Sequence, residues 1–266
     1  MRFKITLQAK ESNCVIPINY QYPLSSALYK IIAKGNERYA EFLHNTGYGK
    51  GFKFFTFSDI RCPFEINGDR LYLKKDKITL TVCFHVPEAM ESFIKGLFAS
   101  EKIDIADKKS KASFQVVSVE SLPNPMASYK ENEIIPIQLT PMSPIVAAIP
   151  NDKGHDDYLA PDSAQFVENL IYNWRSKIAA CYDEDTAISA LVLLEIVPTK
   201  HTFKSRLITI KADTNEETKI RGGTNFNLKA TAEKRFLELL LNGGAGLYNA
   251  QGMGCLELRT ESKNVN

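Results

Sequence analysis

A tyrosine, a histidine and two lysines fall in one short stretch near the start of the chain. Tyr29 stands in SALYKII, His44 in EFLHNTGY, and Lys50 and Lys53 in the glycine-flanked NTGYGKGFKFFTFS. These types together suit general acid–base chemistry without a metal. An imidazole changes charge near neutral pH. A second proton-transfer group and a cation complete a set that stabilises charge developing at an anionic centre. Each residue also has a plainer use: packing for the tyrosine, a helix-end surface position for the histidine, solvated charge for the lysines.

The elements that carry the set are legible from periodicity. In SSALYKIIAKG, Leu24, Leu28, Ile31 and Ile32 define the apolar stripe of a helix capped by Ser25 and ending near Gly35. Tyr29 falls about 115° from the centre of that stripe, at its rim, where it can face a cleft. A second helical piece, NERYAEFLH, buries Tyr39, Phe42 and Leu43 and leaves His44 off that face, near the helix C-terminus. A helix C-terminus favours the protonated imidazole, which suits a general acid.

Around these pieces the strands alternate. MRFKITLQA, KFFTFSDI, ITLTVCFHV and ASFQVVSVESL read as strands. FEINGDRLYL carries Asn67-Gly68, a hairpin signal. Pro87 opens the helix PEAMESFIKGLFAS. The order is β-α-β-β-α-β. PNPMASYKENE, residues 123–133, reads as a linker, after which the order starts again. IIPIQLTPMSPIVAAI is a strand and PDSAQFVENLIYNWRSKIAACY a helix. SALVLLEIV and FKSRLITIKA are strands, LKATAEKRFLELLLNG is a helix, and MGCLELRT closes the sheet. The expectation is an α+β chain of two tandem ferredoxin-like units, residues 1–122 and 134–266, joined by 123–133.

Composition narrows the class. Of 266 residues, 44% are hydrophobic and 24% charged, an ordinary globular balance. No apolar run approaches the roughly 20 residues of a membrane helix. The N-terminal segment lacks a signal-peptide core, so a cytoplasmic protein with no membrane partner is expected. Cys14, Cys62, Cys83, Cys181 and Cys255 are scattered and form no CxxC pair; they read as reduced. His44, His85, His155 and His201 show no metal-ligand spacing, so neither a metal nor another cofactor is expected. The net charge of +2 neither requires nor excludes nucleic acid.

The densest motif lies at the far end, in NGGAGLYNAQGMGCLEL, residues 242–258. Gly244, Gly246, Gly252 and Gly254 space as G-x-G-x5-G-x-G. A dinucleotide fingerprint needs a strand before it and a helix after it, the reverse of the order here, and no P-loop run exists. A tight helix-to-strand connection capped by Gly243 or Gly244 accounts for part of the pattern. A second ferredoxin-like unit ending in this loop resembles the CRISPR-associated endoribonucleases of the Cas-six type. LTPMSPIVAA (139–148) is similar to the family's opening strand of the second domain, and MRFKITL to its N-terminus. The likeness spans nearly the whole chain. LYNAQ (247–251) departs from the family in having no lysine or arginine, which leaves backbone N–H groups to meet phosphate.

This resemblance implies cleavage of CRISPR repeat RNA to mature crRNA. The 2′-hydroxyl attacks the adjacent phosphorus, leaving a 2′,3′-cyclic phosphate and a 5′-hydroxyl, with no metal. It places the catalytic tyrosine at Tyr29, the histidine at His44 and the lysine at Lys53, with Lys50 as a rival. Tyr29 would deprotonate or orient the 2′-hydroxyl, His44 would act as acid or base, and Lys53 would hold the scissile phosphate. A tyrosine near its ordinary pKa of about 10 is a poor base, so orientation suits Tyr29 better. Implied partners are the repeat RNA and crRNA, with a CRISPR effector complex as a further one, for a monomer or homodimer.

A basic track for RNA is offered by Lys200, Lys204, Arg206 and Lys211 around one hairpin, and by Lys219, Arg221 and Lys229. His201 lies among them. His85 reads as structural and His155 as part of a polar loop. The RNA-binding set is therefore Lys50, Lys200, Lys204, Arg206 and Arg221, together with the loop glycines. The RNA is expected to cross the cleft between the two units. Two other functions compete: an inactive RNA-binding relative that holds guide RNA, and a ferredoxin-like protein with no RNA role.

Overall fold

The computed structural model describes residues 1–100, 102–152, 154–212 and 214–259. In the first half the strands are β1 (Arg2–Ala9), β2 (Val15–Pro17), β3 (Phe55–Phe57), β4 (Phe64–Asn67), β5 (Arg70–Leu73), β6 (Lys77–Phe84), β7 (Ile103–Ala106) and β8 (Lys111–Leu122). The helices are α1 (Gln21–Gly35), α2 (Glu37–Asn45) and α3 (Pro87–Phe98). The second half holds β9 (Ile134–Pro141), β10 (Ala148–Pro150), β11 (Asp156–Tyr158), α4 (Ala164–Cys181), α5 (Glu184–Ser189), β12 (Val192–Pro198), β13 (Lys204–Ile210), β14 (Thr218–Thr224), β15 (Phe226–Glu233), α6 (Lys234–Gly243) and β16 (Leu256–Leu258).

Both halves use one sheet order. The first sheet runs β3-β6-β1-β8, with β7 added at its edge; the second runs β12-β15-β9-β16. In each, the second, third, first and fourth strands of a β-α-β-β-α-β unit lie side by side, and the pairs are antiparallel. The chain is thus α+β, with two tandem ferredoxin-like folds. Alternation explains the inward faces: Phe3, Ile5 and Leu7 of β1 are buried, and so are Leu228, Ala230 and Ala232 of β15.

Several boundaries differ from the sequence expectation. LKATAE is strand rather than helix; α6 begins only at Lys234, because the inward alternation of Leu228, Ala230 and Ala232 outweighs the helix preference of its Ala, Lys and Glu. Ser25 is not a cap. α1 starts at Gln21, and the Ser25 hydroxyl donates to the Ala250 carbonyl at 2.7 Å. The strand expected over 134–149 stops at Pro141, and the closing strand is only Leu256–Leu258; Thr260 lies outside the described residues. The hairpin at Asn67-Gly68 forms, with Gly68 and Asp69 as its two turn residues and φ +59° at Gly68.

The segment 123–133 is packed rather than free. Met126 is fully buried in the second core, and Asn124 donates to Glu238 at 2.8 Å. The two halves also interlock. The ring of Phe54, just before β3, sits in the second core, and Thr56 donates to the Met253 carbonyl at 2.8 Å. No helix of the described residues is long and apolar enough to cross a membrane.

Candidate active site

α2 begins where Asn36 accepts a hydrogen bond from the Tyr39 backbone N–H, and it ends at Asn45. His44 therefore stands exposed in its last turn. Its Nδ1 lies 3.0 Å from Asn45 Oδ1. An Nδ1–H donating there leaves Nε2 as the atom that meets a ligand.

Tyr29 projects from the rim of α1, as its helical position predicts. Its ring meets that of His44 edge-on, with centroids 6.0 Å apart, and that of Phe55 at 5.5 Å. Burial pushes the phenol pKa up to about 12. At neutral pH this favours the uncharged hydroxyl over the phenolate that an anionic base requires.

Lys53 closes the trio. Its Nζ donates to the His44 carbonyl at 3.3 Å, which fixes the ammonium against the end of α2. Burial lowers its pKa from the ordinary lysine value. The next residue, Phe54, has φ +51°, a conformation that a non-glycine residue rarely adopts. Its buried ring and the His85 N–H, which donates to the Phe54 carbonyl at 2.9 Å, hold that backbone and so aim Lys53. Lys50 points elsewhere: its Nζ donates to the Tyr172 hydroxyl at 3.1 Å and lies 5.2 Å from that ring.

Tyr29, His44, Lys50 and Lys53 line one cleft of about 580 Å³ whose opposite wall is the glycine loop, from Gly246 to Gln251. Two buried side-chain oxygens on this cleft, Asn173 Oδ1 and Gln251 Oε1, have no hydrogen-bond partner.

The glycines earn their places by packing. Gly244, Gly246, Gly252 and Gly254 are all buried, each with positive φ. A Cβ on Gly252 would lie 2.4 Å from the Phe57 ring of the first half, and one on Gly254 would lie 1.9 Å from the Ala245 carbonyl oxygen. What comes close to the backbone of Gly252 and Gly254 is the protein itself; the cleft is lined by Gly246 and by the residues between the two G-x-G steps.

Beneath the loop lies a residue that the sequence reading passed over. Lys177 of α4 is 1% exposed, yet its Nζ donates to the carbonyls of Gly244 at 2.7 Å and Gly246 at 3.0 Å, and to Asn249 Oδ1 at 2.6 Å. Burial pushes its pKa down to about 7, and against this the three oxygens around Nζ favour the charged form. The signal was present: Leu170, Trp174 and Ile178 form the buried face of α4, and Lys177 stands among them.

Of the basic hairpin residues, Lys211 lines this cleft, whereas Lys200, Lys204 and Arg206 do not. Lys200, Lys204 and Arg206 border a separate groove of about 1110 Å³ with His201 and Arg259. Lys211 stands just past the end of β13, seven residue steps from Lys204, roughly 23 Å of extended chain. Arg206 is not a free cation. Its Nη1 pairs with Asp59 at 2.8 Å, and Asp59 also accepts from the Tyr20 hydroxyl at 2.8 Å, so the arginine bonds one half of the chain to the other. Arg221 is exposed on β14, with its Nη1 3.4 Å from Ser205 Oγ. His85 is half-buried and its pKa is pushed down to about 4, chiefly by burial, which fits a structural role. His155 is exposed. All five cysteines are free, and the described residues contain no group of three or more His, Cys, Asp or Glu that could hold a metal.

A family model described as CRISPR associated protein Cas6, C-terminal, matches residues 124–258, and one described as CRISPR-associated protein Cas6, N-terminal, matches residues 15–118. The chain belongs to the Cas6 family. It is 34% identical over 186 residues to the CRISPR-associated endoribonuclease Cas6 1 of Methanocaldococcus jannaschii, covering 69% of this chain and 68% of that protein. A solved CRISPR associated protein Cas6 shares 25% identity at a TM-score of 0.71, over 98% of this chain and 99% of that one. A Cas6-related protein from Pyrococcus furiosus has the same fold, with a TM-score of 0.77 at 21% identity over 98% and 99% of the two chains. The family that the glycine loop resembles is therefore the family that matches, and the Cas6 models together cover both ferredoxin-like halves.

Proposed function

We propose that this chain is an endoribonuclease that cuts CRISPR repeat RNA without a metal ion, in the cleft between two ferredoxin-like units, residues 1–122 and 134–266. One observation carries the reading. A neutral phenol, an exposed imidazole and an ammonium share one cleft, with the ammonium bonded to the helix end that bears the imidazole. The name of the Methanocaldococcus relative supports it.

In this mechanism Tyr29 orients the 2′-hydroxyl. The O2′–P bond forms as the P–O5′ bond breaks, and the 2′ proton leaves to solvent. His44, through Nε2, protonates the departing 5′-oxygen. Lys53 sits against the scissile phosphate and stabilises the charge that grows on its oxygens. Lys50, bonded to Tyr172, contributes positive field at the mouth of the cleft. The products carry 2′,3′-cyclic phosphate and 5′-hydroxyl ends.

Repeat RNA incubated with the protein in excess EDTA is expected to be cut. The same RNA with hydrogen in place of the 2′-hydroxyl at the scissile nucleotide is expected to bind and stay whole. Cleavage that stops with EDTA, or that continues without the 2′-hydroxyl, contradicts the mechanism.

The basic residues separate by a different measurement. Lys200→Ala and Lys204→Ala are each expected to reduce the slope of log affinity against log salt by about one, as loss of a phosphate contact does. Arg206→Ala is expected to leave that slope alone and to cost about 1–3 kcal/mol of stability, because it leaves Asp59 without its charge partner. Salt titrations of RNA binding and urea denaturation read the two effects.

A further inference from the structure

α4 backs both walls of the cleft. On one side its Lys177 reaches the glycine loop; on the other its Tyr172 holds Lys50, and Lys177 Nζ lies 5.8 Å from the Phe52 ring, directly before Lys53. The glycine loop also has backbone ties: Leu247 donates to the Val146 carbonyl at 2.8 Å, Gly254 to that of Pro144 at 2.8 Å, and Gln251 and Gly252 close a short turn onto Tyr248 and Asn249 at 2.9 Å each. Ala245 donates to the Gly254 carbonyl at 2.9 Å, and Asn249 Nδ2 donates to the carbonyls of Ala245 and Met253 at 3.0 and 3.1 Å. Asn249 is the link between loop and lysine, since its Oδ1 accepts from Lys177 while its amide nitrogen crosses the loop.

The chemistry of the contact is specific. An ammonium has three N–H groups, and three oxygens lie within 3.0 Å of Lys177 Nζ. The donors and acceptors match in number. A thioether or alkyl side chain of the same length fills the space but leaves two carbonyls and an amide oxygen buried without donors. Charge-assisted bonds of this kind are about twice as strong as neutral ones.

We propose that Lys177 is a positioning residue for the cleavage cleft: its buried ammonium draws three oxygens of the glycine loop together and so fixes the wall that faces Tyr29 and His44. The inference rests on the nuclease reading for its consequence, but the clamp itself is independent of it. Lys177 touches no reacting atom. It acts through Asn249 and the backbone of Gly244 and Gly246, and it keeps Leu247 to Gln251 at the distance the RNA needs.

Lys177→Met is the test, with Lys177→Gln as a second variant that keeps one donor group. Two readouts apply to the whole chain. Hydrogen–deuterium exchange of residues 244–254 is expected to rise about tenfold or more in the Met variant, while β9 and β15 keep their protection. Single-turnover cleavage at saturating protein is expected to fall about tenfold or more, because small displacements near a reacting centre are costly. Affinity for the uncleavable 2′-deoxy repeat is expected to stay within about threefold, since the basic surface is untouched. Unchanged exchange in the loop, or equal loss of rate and of affinity, overturns the proposal. If Lys177→Met does not fold, the Gln variant must show the same pattern in smaller degree, and a wild-type rate and wild-type loop exchange there overturn it. A wild-type protein that never cuts the RNA defeats the nuclease reading alone, and loop exchange still decides the clamp.

Discussion

Replacing His44 by alanine is expected to slow single-turnover cleavage of repeat RNA by about 10²- to 10⁴-fold, the usual share of a general acid. Binding of the 2′-deoxy repeat is expected to stay near the wild-type value. The separation is possible because His44 is exposed and its ring nitrogen bonds to its neighbour Asn45, so its loss disturbs no core. Tyr29 differs. Its ring packs on Phe55, so Tyr29→Phe keeps the packing and removes only the hydroxyl. Its effect on rate should be smaller than that of His44→Ala, since a neutral phenol orients the nucleophile and transfers no proton. A His44→Ala enzyme that cut at the wild-type rate would remove the histidine from the mechanism.

Gly254→Ala is expected to be the most damaging single-methyl change in the glycine loop, costing about 3 kcal/mol or more of stability. Two penalties coincide. The residue has φ +69°, which an alanine adopts only with strain. Its Cβ would lie 1.9 Å from the Ala245 carbonyl oxygen and 2.8 Å from Asn249 Nδ2. The carbonyl cannot withdraw cheaply, because it accepts from Asn249, which in turn is held by Lys177. Urea denaturation reads the cost. A variant within about 0.5 kcal/mol of wild type, the range of a neutral surface change, would show that the loop yields easily and does not act as a rigid wall.

Much of this architecture was legible in the sequence because it depends on period and order. The alternation of Phe3, Ile5 and Leu7 marks an inward strand face, the stripe of Leu24, Leu28, Ile31 and Ile32 marks a helix, and the helix-then-strand setting of the glycines rules out nucleotide loops. The placement of Tyr29 at a stripe's rim and of His44 at a helix end carried through to their facing rings. What was not legible depends on partners distant in the chain. LKATAE looks helical by composition, and only its pairing with β9 and β12 makes it a strand. Arg206 looks like one more cation of a basic hairpin until Asp59, 147 residues away, is found against it. Lys177 looks like a surface residue of a long helix, although its place beside Trp174 and Ile178 hinted at burial. The glycine spacing suggested a ligand, whereas the chain packs against its own carbonyl and the ring of Phe57.

In the proposed mechanism His44 delivers a proton to the 5′-oxygen as the phosphodiester opens. Sulphur in place of that bridging oxygen leaves readily as a thiolate and needs no acid. The direct measurement compares wild-type and His44→Ala single-turnover rates on the oxygen and the sulphur substrates, in EDTA. The predicted result is a defect of about 10² or more on oxygen that shrinks to within a few-fold on sulphur. An equal defect on both substrates would contradict the assignment of His44 as the acid.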